Sequence, residues 1–201
     1  MAVDKFSNAA GPQHGLIKIV PTSITVGSGS GSSDGNGNIV FSGASSITIN
    51  GCFSSNYENY KIFHYGLQNT AYGTHSLQFT IGGTVTGAAN FGYQGFASFQ
   101  ANSTAVVWTD GATTNNAAAY GANGANAGNK FSQVTEILQP ALADATFLHT
   151  LAWSQGTGAG TNTSSFTNGW NSYTGAGFDG FRITASSGTM TGKFRIYGYN
   201  N

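Results

Sequence analysis

Phe181-Arg182-Ile183-Thr184-Ala185-Ser186-Ser187-Gly188-Thr189-Met190-Thr191-Gly192-Lys193-Phe194-Arg195-Ile196-Tyr197 alternates apolar and polar residues on either side of a Ser/Gly break. Phe181 and Ile183 fall on one side of an extended chain and Arg182 and Thr184 on the other; Phe194 and Ile196 repeat the pattern against Lys193, Arg195 and Tyr197. Ser186-Ser187-Gly188-Thr189 supplies the turn chemistry between the two runs. The reading is a terminal β-hairpin that finishes the fold.

The same period of two recurs upstream. Leu16 to Val20 and Thr22 to Val26 read as short strands separated by Pro21, which cannot donate to a ladder and marks an edge or bend. Strands follow at Ile39 to Phe41 and at Ser46 to Ile49, the latter closed by Asn50-Gly51. Tyr60 to Tyr65 sets Tyr60, Ile62 and His64 against Lys61, Phe63 and Tyr65; apolar atoms on both sides predict a strand covered on both faces. Leu77, Phe79 and Ile81 alternate with Gln78 and Thr80 until Gly82-Gly83 stops them. Further strands are expected at Phe91 to Phe99, Ala105 to Thr109, Phe131 to Leu138 and Thr146 to Trp153, all rich in β-branched and aromatic residues.

Between them, Gly27 to Asn38 is almost wholly Gly, Ser, Asn and Asp and reads as a loop. The Ala/Asn/Gly-rich segment Ala112 to Asn129 reads as a long surface loop, because its glycines each cost about 1 kcal/mol relative to alanine in a helix. Pro140 to Asp144 is expected to make one helical turn. Many short strands without an amphipathic helix predict an all-β chain, an antiparallel β-sandwich or barrel with long Gly/Ser/Asn-rich loops. Residues 1–15 form a short N-terminal docking arm in this reading, and residues 16–201 a single β-sandwich domain.

Composition narrows the function. Seven Lys+Arg and seven Asp+Glu in 201 residues make the chain 7% charged with formal net charge zero, where about 25% is usual. Without self-repulsion, copies associate readily, which suits a fixed part of an assembly. At 39% hydrophobic and 13% aromatic the chain has material for a packed core, against the composition of disordered segments. No basic excess points to nucleic acid or to an anionic membrane. Cys52 is the sole cysteine, so no intramolecular disulfide can form; it reads as a small buried hydrophobe near a strand end. Met1 to Asn8 has no apolar run, so neither a secretory signal nor a membrane helix is expected there.

The motifs that match catalytic or ligand-binding patterns lack their structural context. Gly31-Ser32-Ser33-Asp34-Gly35 fits G-x-S-x-G, but a nucleophile elbow needs a helix after it, and a strand follows. Asp34-Gly35-Asn36-Gly37-Asn38 opens like a calcium loop, yet Ile39 and Ser45 stand where glycine and a bidentate glutamate belong. Gly188 to Lys193 is one residue short of a phosphate loop. Of the histidines, His64 and His149 are expected to pack within strands and His14 and His75 to be exposed, with no metal-ligand spacing among them. Asp110, Glu136, Asp144 and Asp179 are the acids available for general acid/base work, and no spacing pairs them. The expectation is a non-enzymatic protein without metal or cofactor.

Two stretches place flat apolar faces beside amide and carboxylate groups: Trp108 with Asp110, and Trp170 with Asn171 and Tyr173. That combination stacks on a sugar ring while bonding its hydroxyls. The same aromatics also suit a sandwich edge or a subunit interface.

Ile49-Asn50-Gly51-Cys52-Phe53-Ser54-Ser55-Asn56-Tyr57-Glu58-Asn59-Tyr60-Lys61-Ile62, Gly177-Phe178-Asp179-Gly180-Phe181-Arg182-Ile183 and Ser187-Gly188-Thr189-Met190-Thr191-Gly192-Lys193-Phe194-Arg195-Ile196-Tyr197-Gly198-Tyr199 resemble small β-rich virion structural proteins of tailed bacteriophages. The resemblance covers about a third of the chain, leaves out Ala112 to Asn129 and carries over no catalytic residue. It implies a jelly-roll-like sandwich on a virus particle, made in the host cytoplasm and working in the virion as a capsid-decoration, fibre or tail-tip subunit. Expected partners are copies of itself in a homo-oligomer such as a trimer, other virion proteins and a host surface glycan, without nucleic acid or membrane insertion. The alternative is a carbohydrate-binding host-receptor recognition module.

Overall fold

The computed structural model describes residues 15–71, 73, 75–86, 91–99, 105–110, 118–119, 130–154 and 163–200. Within these the chain forms β1 (Ile17–Lys18), β2 (Ser23–Val26), β3 (Ser30–Ser33), β4 (Asn38–Ala44), β5 (Ser46–Asn50), β6 (Asn59–Asn69), β7 (His75–Ile81) and β8 (Thr84–Val85). It continues with β9 (Phe91–Phe99), β10 (Ala105–Asp110), β11 (Ala118–Ala119), β12 (Lys130–Leu138), β13 (Thr146–Ser154), β14 (Thr163–Asn171), β15 (Gly180–Ala185) and β16 (Met190–Tyr199).

These strands build two antiparallel sheets that face each other. The larger runs β10-β9-β14-β13-β12-β6-β16-β4-β3, with β1 also on β16; the smaller runs β11-β7-β15-β5-β2, with β8 on β7. The expected all-β antiparallel sandwich is therefore the architecture of the described chain. Its core lies between the central strands: Ile39, Phe41, Ile62, Phe194 and Ile196 of the larger sheet meet Ile47, Ile49, Phe79, Phe181 and Ile183 of the smaller. Phe41 stacks on Phe194 at 4.8 Å, Phe79 on Phe178 at 4.7 Å, and Phe181 crosses the gap to meet Phe194 edge-on at 6.4 Å. Each fully buried side chain of this size is worth roughly 1.5–3 kcal/mol. Cys52 is buried here as expected, its thiol pushed well above the usual range by burial.

Several local expectations are corrected. β15 and β16 are not a hairpin: β15 pairs with β5 and β7, while β16 pairs with β4, β6 and β1. Alternation shows which residues share a side of a strand but not which neighbour completes its ladder, and the chain instead arches from one sheet to the other. Gly27 to Asn38 is not all loop, because β3 forms a hairpin with β4. Asp34 closes that hairpin, accepting from the backbone amides of Asn36 and Asn38 and from the Asn38 side-chain amide at 2.7–2.9 Å. The bonds to Asn38 hold its carboxyl below the usual range. Pro140 to Asp144 makes a turn, closed by the Leu142 amide on the Gln139 carbonyl at 3.3 Å, with Gln139 itself left-handed at φ 55°.

His75 is buried and His149 exposed, the reverse of the expected pair, whereas His64 is buried as expected. The flanking residues of His75 are small or polar and hide its side, but Phe131 and Asn69 lie over its ring. Asn168 to Asn171 belongs to β14, a strand hidden in the sequence by its Ser, Thr, Asn and Gly content. The docking arm through His14 and all of Ala112 to Asn129 except Ala118–Ala119 lie outside the described residues.

Candidate functional site

The larger sheet turns an unusual face to solvent. In β13, Thr146, Leu148, Thr150 and Ala152 point inward and Phe147, His149, Leu151 and Trp153 outward. β14 repeats the arrangement, with Ser165, Thr167, Gly169 and Asn171 buried and Phe166, Asn168 and Trp170 on the outer side. Register aligns the two sets across strands. Thr135, Thr150 and Thr167 form one inward row, and the Thr135 and Thr150 hydroxyls hydrogen-bond at 2.9 Å. Val134, Leu151 and Phe166 form one outward row and Leu138, Phe147 and Trp170 another.

Polarity here is inverted relative to a sheet that meets water on its outer side, where polar residues point out and apolar ones in. Phe147 is 50% exposed, Trp153 48%, Leu151 42% and Trp170 36%. Trp170 lies against Gly92 of β9, where a Cβ would come within 2.2 Å of the indole. Between the two apolar rows runs a polar one, Tyr197, Lys61, Glu136, His149 and Asn168 in register. Lys61 pairs with Glu136 at 3.4 Å, Tyr199 donates its hydroxyl to the same carboxylate, and His149 bonds Asn168. Burial, then the Glu136 bond, raises the Tyr199 phenol above its ordinary range.

The same outer face continues across β6, β16 and β4. Contrary to the expectation of a strand covered on both sides, β6 buries Tyr60, Ile62 and His64 but leaves Phe63 half-buried and Tyr65 exposed. Phe63 stacks on Tyr65 at 6.2 Å and meets Tyr197 edge-on at 5.5 Å. Beside them, Asn38, Val40, Tyr65, Lys193 and Arg195 line a shallow groove of about 440 Å³.

The sugar-stacking residues are not gathered into one platform among the described side chains. Trp170 points outward; Asn171, next in the strand, is buried and accepts the Tyr173 amide at 2.8 Å. Tyr173 is half-buried against Phe178 at 5.7 Å. Only the backbone of Trp108 and Asp110 is described: they lie in β10 opposite Gly95 and Tyr93. Gly95 continues into the Thr167 row, so Trp108 and Trp170 occupy rows of opposite parity.

The described acids are spread over the molecule. Glu136 sits in the outer polar row, Asp144 caps the Ala145 amide at 2.7 Å, and Asp179 accepts from the Gly82 amide at 2.8 Å. Ser33, the central residue of the G-x-S-x-G match, bonds the Asp34 carbonyl in the hairpin. No group of three metal-ligating side chains converges among the described residues, and no helix there is long and apolar enough to cross a membrane. The sequence reading missed Phe147, Leu151 and Trp153 as a surface. Their alternation was visible in Thr146 to Trp153, but nothing local says which side of a strand is covered. Comparison with protein-family models, with curated proteins and with solved structures returned no match.

Proposed function

We propose that this chain is a non-enzymatic structural subunit of a bacteriophage particle, a capsid-decoration, fibre or tail-tip protein, acting through contacts with copies of itself and with other virion proteins. The observation that carries the assembly part of this reading is the inverted polarity of β13 and β14, which sends Phe147, Leu151, Trp153 and Trp170 outward over buried threonines. Large apolar side chains exposed in neighbouring rows of one face, here on either side of the polar row through His149, mark an interaction site, and aromatic residues are enriched at such interfaces. A second copy is the occupant of choice: these four side chains carry no charge, and the chain has no net charge to keep copies apart. The phage assignment rests on the resemblance of the segments around Cys52, Asp179 and Gly188.

Sedimentation velocity of the full chain tests the assembly. A closed oligomer is expected at micromolar concentration, and Leu151→Lys with Trp153→Lys is expected to give a folded monomer, because both positions are solvent-facing within one subunit. A wild-type monomer, or an oligomer indifferent to the double substitution, would overturn this assembly surface. For the particle assignment, mass spectrometry of purified virions of the encoding phage is expected to find the chain in many copies; its absence from them would remove the virion role.

A further inference from the structure

We infer that the groove on β4, β16 and β6 is a binding site for an acidic saccharide, held by its carboxylate. β16 presents Lys193 and Arg195 on its outer side, two residues apart and so about 7 Å along the strand. In register, Lys193 stands between Val40 and Tyr65, and Arg195 between Asn38 and Phe63. The Arg195 guanidinium lies 5.5 Å from the centre of the Tyr65 ring and donates from Nε to Asn38 Oδ1 at 2.9 Å. Asn38 is held in turn by the Asp34 carboxylate through its side-chain amide at 2.7 Å. Arg195 is thus oriented through Nε, which leaves its two terminal nitrogens for a ligand. That fork is the geometry that grips a carboxylate with two parallel bonds. The Lys193 side chain makes no hydrogen bond or ion pair with any described residue.

The surroundings favour an anion although the chain is neutral overall. Lys18, Lys61, Lys130, Lys193 and Arg195 all stand in the outward rows of the larger sheet, five of the seven Lys+Arg of the chain. Among the described side chains Glu136 is the carboxylate in those rows, and it is paired with Lys61. Asp34, at the groove's edge, has its oxygens turned to Asn36 and Asn38. The exposed Tyr65 ring and the Asn38 amide add the stacking surface and the hydroxyl-bonding group that a sugar requires beyond its charge. This inference does not depend on the subunit reading, since β12 separates the groove from the apolar face of β13 and β14.

Isothermal titration of the full chain at low salt tests it, with a panel of uronic-acid and sialic-acid oligosaccharides, their methyl esters, and inorganic phosphate and sulfate. At least one acidic oligosaccharide is expected to bind with a 1:1 stoichiometry per subunit, its methyl ester at least about tenfold more weakly. Arg195→Gln and Tyr65→Ala are each expected to weaken it about tenfold or more, while Lys130→Gln, outside the groove, leaves it unchanged. Thermal melts of all three variants serve as the folding control, and sedimentation in the same buffers reports assembly separately. Absence of binding across the panel, equal binding of the methyl esters, full competition by phosphate or sulfate alone, or indifference to Arg195→Gln would each overturn the assignment.

Discussion

His75 is buried between Asn69 and Phe131, and its Nε2–H donates to Asn69 Oδ1 at 2.8 Å. Burial lowers its pKa to about 4 and depresses that of His64, which lies against Phe194, well below the ordinary value of 6.5. The folded chain therefore refuses protons that the unfolded chain accepts below pH 6.5, and stability falls with pH in that window. Each histidine contributes roughly 1.4 kcal/mol per pH unit between about 6.5 and its folded value, and nothing above 6.5. Urea denaturation midpoints are expected to drop from pH 7.5 to pH 5, and His75→Gln to remove about half of that slope. Midpoints independent of pH over that range would contradict the buried neutral state of these rings. Burial of His64 and Cys52 was legible from their apolar neighbours, since Ile62 shares a strand face with the one and Phe53 follows the other. His75 was not, because Gly73, Thr74, Ser76 and Asn69 advertise a turn, and Phe131, which covers the ring, is distant in sequence.

At the scale of elements, the arch between β15 and β16 replaces the hairpin that alternation predicted. It docks on Thr70, just after β6: Thr70 donates its amide to the Thr189 carbonyl at 3.0 Å and receives the Thr189 amide on its hydroxyl at 2.9 Å. Gly188 makes the approach possible at φ +66°, where a Cβ would meet the Thr70 hydroxyl at 2.7 Å and the Ala71 backbone nitrogen at 2.9 Å. Gly188→Val should cost about 1–3 kcal/mol from backbone strain and overpacking, a drop of several degrees in Tm for a chain of this size. Gly35→Ala, which meets nothing within 4 Å, is the matched control and should melt like the wild type; equal melts for both would refute the arch. Strand existence was legible wherever β-branched and aromatic residues alternate, as in Ser46 to Ile49 and Leu77 to Ile81. β3 and β14 escaped because Ser30-Gly31-Ser32-Ser33 and Thr163 to Asn171 are built from turn-forming residues that extend only when a neighbouring strand satisfies their backbone. The partners of β15 and β16 depend on long-range pairing that no local pattern encodes.

For the whole molecule, two sheets enclose a core of aromatic and aliphatic side chains that reaches from β4, β5, β6, β7, β15 and β16 to Phe131 and Ile137 of β12 and Leu148 of β13, while β13 and β14 bury Thr146, Thr150, Ser165, Thr167 and Asn171 and turn Phe147, Leu151, Trp153 and Trp170 outward. A chain made this way would gain by adding a neighbour, because about 25 cal/mol is recovered per Å² of apolar surface removed from water, and that apolar gain, unlike the Lys61–Glu136 pair between the rows, is not screened as salt rises. The low charge of the chain is the sequence feature that points to association; the location of the proposed surface required knowing which side of β13 faces the second sheet. The central claim is that another copy covers this outward face. Hydroxyl-radical footprinting of the full chain from submicromolar to high micromolar concentration tests it most directly. Modification of Phe147, Leu151, Trp153 and Trp170 is expected to fall severalfold as concentration rises, while Tyr65 in the groove stays reactive. Undiminished modification of those four residues at every concentration would contradict the account.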